Sequence, residues 1–544
     1  MKLNAWKLLV IGILISFWGI NCQRFSKENV RIHKKLNMKW KFHKGELNNA
    51  QATDYDNSNW RIINLPHDWA IEGPFDKNVF YGGGFLPYPG VGWYRKTFEI
   101  DTRGKNVLLE FDGVMRNPTI WVNGNLVGHW AYGYTSFAFD ITKYLKSEGK
   151  NVIAVCVENE DHSSRWYPGS GIYRNVWLTI TNPVHVAHWG TFVTTPVVTD
   201  DEAIVKVETE IENQSDQVKD IVLETLIVDQ KGRVVSKDQR PGKVTAQDKY
   251  KFVQELKVQN PHRWDVDDPY LYRVISRVKI NDELIDDYET PFGIRTFRFG
   301  PDKGFFLNGR SLKIKGVNLH HDLGPLGAAV SYRAIERQLQ IMKAMGANAI
   351  RTAHNPPAPE QLELCDKLGI LVLDEAFDEW RQPKEENVNK IYNIFFDQWA
   401  KKDLRAMLKR DRNHPSIILW SIGNEIPELG TEDGKKSAKM LTDICHEMDP
   451  TRPVSSGIHL SIKLDRELMD ILDVAGFNYW HDRLEKIHET YPDKPILVTE
   501  AAAVLSSRGE YHFPVKRVYS GYYCLLYTSP SPRDLSTSRM PSSA

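Results

Sequence analysis

The chain has 544 residues, so a single hydrophobic core cannot account for it and several domains are expected. Its 70 lysine and arginine residues are balanced by 70 aspartate and glutamate residues, which gives a formal net charge of zero. A neutral chain lacks the basic surface that attracts nucleic acids and anionic membranes, so neither is expected to be its natural partner.

Residues 1–22 have the pattern of a secretory signal peptide. Lys2 and Lys7 precede an apolar run from Leu8 to Ile20, which is shorter than the about 20 residues that a membrane-spanning helix needs. Cys22 follows this run, at the place where bacterial lipoproteins carry their acylated cysteine. A lipid anchor at Cys22 and ordinary cleavage nearby therefore stay open as alternatives. In either case export is expected, to the periplasm or the outer surface of a bacterium.

Two β-rich segments come next. Residues 38–183 carry short alternating strands divided by Gly, Asn and Asp, and Asn123-Gly124 is typical of a tight hairpin turn. This pattern predicts an antiparallel β-sandwich. Residues 184–299 are more charged and less aromatic, and their length of about 115 residues with regular turn spacing predicts an immunoglobulin-like sandwich.

The pattern changes near Gly300 to alternating strands and helices. Seven strands are predicted, at Leu312–Leu319, Asn348–Thr352, Leu371–Asp374, Ser416–Ile422, Val454–Ser456, Val474–Asn478 and Ile496–Thr499. Helices are predicted at Tyr332–Met345, Glu360–Leu368 and Phe395–Arg412. Such alternation implies a parallel sheet, and seven strands in order predict a (β/α)₈ barrel over residues 300–523 that lacks its last βα unit.

The end of the chain does not continue this alternation. After Tyr523 the sequence becomes a mixture of Ser, Pro and Arg, with neither an eighth strand nor its helix. Residues 524–544 are therefore predicted to be a non-native tail that forms no part of the fold, in preference to a natural disordered tail. Without an eighth strand the barrel would be open between its first and seventh strands, and exposed strand edges favour aggregation.

The remaining cysteines carry no visible framework. Cys156, Cys365, Cys445 and Cys524 are scattered along the chain, without a CxxC motif or any paired spacing. They are interpreted as small buried apolar residues rather than as metal ligands or disulfide partners.

Two predicted strands end in a glutamate. The fourth runs into Asn424-Glu425, and the seventh runs into Glu500. In a barrel of this type the two strands face each other across the mouth, where functional residues gather. Glycosidic bond cleavage with retention needs two carboxyls about 5 to 5.5 Å apart, one to protonate the leaving oxygen and one to attack the anomeric carbon. The pair therefore predicts glycoside hydrolysis, although each glutamate alone is also explained by a solvated loop or an ion pair.

Six stretches of sequence, together with Glu500, resemble one known family. They are Leu65–Trp69, Gly92–Lys96, Ser164–Leu178, Gly316–His321, Arg351–Pro356 and Ser421–Glu425. The family is glycoside hydrolase family 2, which includes β-galactosidases, β-glucuronidases and β-mannosidases. The resemblance implies a sugar-binding-like jelly-roll sandwich, an immunoglobulin-like sandwich and a TIM barrel, in agreement with the order predicted from the strand and helix patterns.

The resemblance also implies roles for individual residues. Glu425 is similar to the acid/base of the family, and Glu500 is similar to its nucleophile. Asn424 resembles the asparagine that binds the sugar 2-hydroxyl. Tyr479, after the sixth strand, resembles the tyrosine that orients the nucleophile.

Four further residues are candidates for substrate binding. Arg351 and His354 match second-strand residues that lie beside the nucleophile and the sugar, and His320 and Asp374 follow or end neighbouring strands. A guanidinium at Arg351 would favour the carboxylate form of Glu500. The alternative for Arg351 and for Asp374-Glu375 is a structural ion-pair network at the barrel mouth.

One departure from the family concerns metal binding. Some β-galactosidases bind magnesium through a glutamate and a histidine after the third strand, and Glu379 and Arg381 align with this pair. Because an arginine cannot ligate magnesium, no metal ligand and no cofactor are predicted. A divalent or monovalent cation site elsewhere stays an open alternative.

The leading functional hypothesis is an exo-acting, retaining β-galactosidase that takes an oligo- or polysaccharide. The Ser164–Gly171 loop and the His320-His321 pair look most like that branch of the family. A β-glucuronidase or another family 2 β-glycosidase is the alternative within the same class. An inactive carbohydrate-binding protein on the same fold is the alternative from a different class, and homo-oligomerisation is left open.

Overall fold

The computed structural model describes residues 30–79, 86–386, 390–480 and 482–501. The predicted signal peptide with Cys22, the predicted tail at 524–544 and Cys524 lie outside the described residues. Within these ranges no helix is both long enough and apolar enough to cross a membrane. Cys156, Cys365 and Cys445 are buried and form no disulfide, as predicted for them.

The first sandwich has ten strands among its described residues, in two antiparallel sheets. They are β1 (Ile32–Lys35), β2 (Trp40–Lys44), β3 (Arg61–Ile63), β4 (Gly90–Glu99), β5 (Asn106–Phe111), β6 (Thr119–Val122), β7 (Asn125–His129), β8 (Phe137–Asp140), β9 (Lys150–Asn159) and β10 (Val176–Thr181). One sheet has the order β1-β10-β5-β8 and the other β3-β2-β4-β9-β6-β7. Asn123 and Gly124 both have positive φ, as a type I′ turn requires, so the predicted hairpin is confirmed between β6 and β7.

The second sandwich has seven strands. They are β11 (Val184–Val198), β12 (Glu202–Asn213), β13 (Lys219–Val228), β14 (Val234–Val244), β15 (Asp248–Gln259), β16 (Tyr272–Ile280) and β17 (Glu283–Phe292). The sheets β11-β12-β15 and β14-β13-β16-β17 pack face to face. In β12 buried side chains alternate with partly exposed ones along the whole strand, because one face meets the core and the other faces solvent. This is the immunoglobulin-like sandwich that the sequence predicts.

A small antiparallel sheet precedes the barrel. It contains β18 (Phe297–Gly300), β19 (Gly304–Leu307) and β20 (Arg310–Ser311). The first barrel strand was expected to start at Leu312 but starts at Gly316. The reason is that the backbone N–H of Leu312 donates to the carbonyl of Phe305, so this residue belongs to the small sheet.

In the described part of the chain the barrel has seven parallel strands in chain order. They are β21 (Gly316–Leu319), β22 (Ala349–Thr352), β23 (Leu371–Glu375), β24 (Ile417–Asn424), β25 (Val454–Ile458), β26 (Ala475–Asn478) and β27 (Ile496–Glu500). The side chain of Asn318 on β21 donates to the carbonyl oxygen of Thr499 on β27 at 3.1 Å. The two outer strands therefore approach each other, and the sheet is nearly closed.

Six α-helices of the described residues surround these strands. They are α1 (Tyr332–Ala344), α2 (Pro359–Leu368), α3 (Phe396–Asp411), α4 (Glu432–Met448), α5 (Arg466–Ile471) and α6 (Leu484–Thr490). The three predicted helices agree with α1, α2 and α3 to within one residue at each end. The side chains of Ser331 and Thr431 accept backbone N–H groups in the first turns of α1 and α4, so both starts are capped.

The first sandwich and the barrel share one hydrophobic core. Arg174 is fully buried between them, and its guanidinium donates to the carbonyl oxygens of Tyr134 at 2.8 Å, Pro356 at 2.9 Å and Pro357 at 3.0 Å. Tyr134 belongs to the sandwich, whereas the two prolines follow β22. The Arg174 side chain thus makes hydrogen bonds to both domains.

Replacement of Arg174 by methionine is expected to lower the free energy of unfolding by on the order of 3 kcal/mol, because several buried carbonyl oxygens lose their donor. Differential scanning calorimetry measures this as a lower Tm. Arg103→Met is the matched control, since Arg103 is 71% exposed and its loss should leave Tm unchanged. Equal Tm values for the two variants would contradict a joining role for Arg174.

Candidate active site

The carboxyl ends of five barrel strands supply the charged and amide side chains at the mouth. They are Arg351 on β22, Glu375 on β23, Asn424 on β24, Asn478 on β26 and Glu500 on β27. Because the strands are parallel, these ends meet at one rim of the barrel. Glu425 follows β24 directly and Glu500 ends β27, so both glutamates lie at this rim.

Arg351 lies at the centre of this group, with its side chain only 3% exposed. Its Nε and Nη2 atoms donate to Glu375 Oε2 at 3.0 and 2.7 Å, and its Nη1 donates to Glu500 Oε1 at 2.8 Å. Nη2 also donates to Asn424 Oδ1 at 2.9 Å. Burial alone would lower the pKa of Arg351, but the charges of Glu375 and Glu500 outweigh it and raise that pKa. Arg351 therefore combines the predicted ion-pair network with direct contact to Glu500.

Glu375 is fully buried and holds Arg351 in place. It also accepts a hydrogen bond from Ser421 Oγ at 2.6 Å, and His354 Nδ1 lies 2.8 Å from its Oε1. Burial would raise the pKa of Glu375, yet the Arg351 charge and these hydrogen bonds lower it. Glu375 is thus a fixed negative charge behind the arginine.

Asp374 does not join the site, which corrects its assignment to substrate binding. It is fully buried, and burial together with the Asp411 charge raises its pKa well above the usual value. Asp411 ends helix α3, so the Asp374 side chain faces the helices outside the barrel. Successive side chains of a strand point to opposite faces, and on β23 the inward one is Glu375.

Glu500 is partly open to the barrel mouth, with 12% of its side chain exposed. Besides the Arg351 contact, His354 Nε2 lies 3.8 Å from its Oε1. The backbone N–H of Tyr479 donates to the Glu500 carbonyl oxygen at 2.8 Å, which brings Tyr479 beside it. Arg351, His354 and Tyr479 therefore lie around Glu500, as the sequence predicts.

Glu425 is held by a network that reaches the strand of Glu500. Its Oε1 accepts from Asn478 Nδ2 at 3.1 Å, and Asn478 Oδ1 accepts from Thr499 Oγ1 at 2.6 Å. Asn478 Nδ2 also donates to Asn424 Oδ1 at 3.2 Å. The two glutamates are thus linked through Asn478, Asn424 and Arg351, and their carboxyl separation of about 5 to 5.5 Å stays a prediction.

Glu425 and Tyr479 both adopt a left-handed backbone, with φ of 46° and 64°. This conformation is uncommon for residues other than glycine and persists only where surrounding contacts enforce it. For Glu425 one such contact is the hydrogen bond from its N–H to the Gly457 carbonyl at 2.7 Å. Residues held in this conformation cluster at functional sites.

A cavity opens beside Glu500. It is lined in part by Arg351, His354, His320, Tyr479 and Trp166. Trp166 comes from the first sandwich, and its ring lies 4.5 Å from the His320 ring and 5.8 Å from the His354 ring. Burial, assisted by the His354 charge, lowers the pKa of His320 to about 4, so His320 is neutral near pH 7. The sandwich therefore contributes an aromatic wall to the barrel site.

Two residues at the site were missed by the sequence analysis. Trp166 lies inside the quoted Ser164–Leu178 stretch but was not singled out. Asp378, after β23, accepts from Asn424 Nδ2 at 2.9 Å and from Lys384 Nζ at 2.7 Å. Its position three residues beyond the buried strand β23 was the available signal.

Glu379 and Arg381 do not face each other. Burial and the Asp378 charge raise the pKa of Glu379 to about 7, and its Oε2 has no hydrogen-bond partner. Arg381 is directed to Asp397 and to Ser437 on α4. Among the described residues no group of three or more His, Cys, Asp or Glu side chains could hold a metal ion.

Three known domain types match consecutive parts of the chain. Residues 33–183 match the sugar binding domain of glycosyl hydrolases family 2, and residues 184–295 match the family's next domain. Residues 301–525 match its TIM barrel domain. Nearly the whole chain is thus covered by domains of one family in a fixed order.

Three relatives support the same membership. A β-galactosidase of Bacteroides ovatus is 42% identical over 92% of this chain and 62% of its own length. A solved family 2 member of Bacteroides cellulosilyticus is 41% identical with a TM-score of 0.83, over 86% of this chain and 61% of its own. A solved β-glucuronidase of Bacteroides uniformis is 30% identical with a TM-score of 0.79, over 91% and 62%.

The chain spans less than two thirds of the length of these three relatives. Across that span the fold agrees with that of the two solved relatives. The chain belongs to glycoside hydrolase family 2.

Proposed function

We propose that the protein is a retaining exo-β-glycosidase whose preferred substrates are terminal β-galactosides of oligo- or polysaccharides. The observation that carries the proposal is the placement of Glu425 and Glu500 at the ends of β24 and β27, linked through Asn478, Asn424 and Arg351. A network of this kind holds two carboxyls at one rim of the barrel, and double displacement needs two carboxyls that lie close together.

In the first step Glu500 attacks the anomeric carbon while Glu425 donates a proton to the leaving oxygen. The Arg351 guanidinium keeps a positive charge against Glu500 Oε1, and it is buried, so water screens the interaction little. Glu375 neutralises part of that charge from behind. Arg351 therefore orients Glu500 while its charge is shared with a second carboxylate.

In the second step Glu425 takes a proton from water, which attacks the glycosyl-enzyme and releases the sugar. The Asn478 hydrogen bond fixes Glu425 Oε1, so the acid and the base roles use the same position. Asn424 lies beside Arg351, where its amide can bind a hydroxyl next to the attacked carbon.

The choice of β-galactosides over other sugars is supported by the Bacteroides ovatus relative, which is a β-galactosidase. The solved Bacteroides uniformis relative is a β-glucuronidase, at lower identity. We expect 4-nitrophenyl β-D-galactopyranoside to give the highest kcat/KM in a panel with the β-glucuronide, β-glucoside and β-mannoside. A higher value for the β-glucuronide would overturn the galactoside assignment and leave the reaction type standing.

Hydrolysis is expected to give the β-anomer first, because two displacements restore the configuration. Proton NMR of the early product, recorded before mutarotation, measures this. Early appearance of the α-anomer would exclude the retaining mechanism. If no glycoside in the panel were hydrolysed but galactose-containing oligosaccharides still bound, the carbohydrate-binding alternative would replace this proposal.

Replacement of Glu500 by alanine removes the nucleophile and is expected to lower kcat on the order of 10³-fold or more. Added azide should restore turnover on an activated substrate and give the α-glycosyl azide, because a small anion then attacks from the vacated side. Glu489→Ala, at an exposed position on α6, is the control and should keep wild-type activity. Failure of azide to react in an otherwise folded variant would argue against Glu500 as nucleophile.

Replacement of Glu425 by alanine removes the proton donor, so its effect should depend on the leaving group. Glycosylation by 2,4-dinitrophenyl β-galactoside, whose leaving group needs no proton, should suffer far less than hydrolysis of lactose. Pre-steady-state release of the phenol, followed by slow deglycosylation, is the expected signature. The same loss on both substrates would contradict the acid/base role.

A further inference from the structure

We propose that Arg165, on the first sandwich, is a positioning residue for the barrel site. It acts through Asp378, which in turn fixes the side-chain amide of Asn424. The inference rests on the proposed glycosidase function, and it assigns part of the catalytic geometry to a domain that carries neither catalytic glutamate. Arg165 itself does not contact the two glutamates; its described partners are Asp378 and Glu385, with the Trp166 ring beside it.

Asp378 is buried and receives donors from both domains. From the sandwich, Arg165 Nη1 and Trp166 Nε1 donate to its Oδ2 at 3.1 and 3.3 Å. From the barrel, Lys384 Nζ and Asn424 Nδ2 donate to its Oδ1 at 2.7 and 2.9 Å. A carboxylate offers about four lone-pair positions, so these donors nearly saturate it and fix its plane.

Asp378 determines which end of the Asn424 amide faces which neighbour. An amide has a donor end and an acceptor end, and only the donor end can bind a carboxylate. Nδ2 therefore faces Asp378, while Oδ1 accepts from Arg351 and Asn478. A flip of the amide would lose all three hydrogen bonds. One N–H of Nδ2 is left for a sugar hydroxyl next to the attacked carbon.

A hydrogen bond to the sugar 2-hydroxyl strengthens in the transition state of glycoside hydrolysis, so its precise orientation affects kcat more than KM. Arg165 is the part of this arrangement that the sandwich controls. Its guanidinium also lies over the Trp166 ring, 4.9 Å from the centroid, and donates to Glu385 at 3.3 Å. It thereby holds the loop that supplies the wall of the cavity.

The removal of Arg165 is a clean test, because Lys384 still neutralises Asp378 and no buried charge is left unpaired. For Arg165→Met we expect kcat on 4-nitrophenyl β-galactoside to fall about tenfold, with KM changed less than about threefold. On the 2-deoxy analogue, which lacks the hydroxyl, the loss should shrink to under about threefold. Arg165→Lys should recover part of kcat on the first substrate.

A double-mutant cycle with Asn424→Ala tests the route of the effect. If Arg165 acts through Asn424, the double variant should lose no more activity than Asn424→Ala alone, because coupled residues are not additive. Arg61→Met is the matched control. Arg61 is an exposed arginine of the same sandwich that pairs with Glu72, and its loss should leave kcat unchanged.

Equal losses on both substrates, or additive losses in the cycle, would overturn the role of Arg165 while the glycosidase proposal stands. A wild-type protein that hydrolyses no β-glycoside overturns the glycosidase proposal instead. A crystal structure of Arg165→Met tests the role of Arg165 without an activity measurement. The inference is refuted if Asn424 keeps its contacts with Asp378 and Arg351 unchanged, and supported if its amide rotates or becomes disordered.

Discussion

The guanidinium of Arg351 is the interaction on which the mouth of the barrel depends. A buried arginine has lost its hydration, and here that loss is offset by Glu375, Glu500 and the Asn424 amide. Because a guanidinium is planar with donors at fixed angles, it sets the directions of all three partners at once. The strands that carry these residues are thereby held in one register at their carboxyl ends.

Much of the architecture follows from patterns that a single sequence contains. The two-residue alternation of β12 has a physical cause in one buried face and one solvated face, so that strand could be recognised without a structure. Glu425 and Glu500 were found because a charged residue directly after an apolar strand stands at the rim of a parallel barrel. The roles of Asn424 and Tyr479 came from the family resemblance and not from any periodicity.

The sequence does not show which side chains of β23 point into the barrel, and the assignment of Asp374 to substrate binding was wrong for this reason. All five residues of that strand are buried, since one face meets the barrel interior and the other meets the helices. Because neither face of the strand is exposed, polar and apolar residues do not alternate along it, and the sequence does not distinguish the inward Glu375 from the outward Asp374. Trp166 could not be predicted for a related reason, because packing between domains leaves no local pattern in its segment. Asp378 differs, since its position shortly after the buried strand β23 was a usable signal.

The Trp166 wall has a consequence for how this site can change. Trp166 reaches the cavity from the sandwich, so its position there depends on how the sandwich packs against the barrel. Substitutions at Arg174, which does not line the cavity, can therefore change its shape through a small rotation of the sandwich. Substrate preference in such a protein can change through substitutions at the interface between the domains, while every barrel residue stays the same.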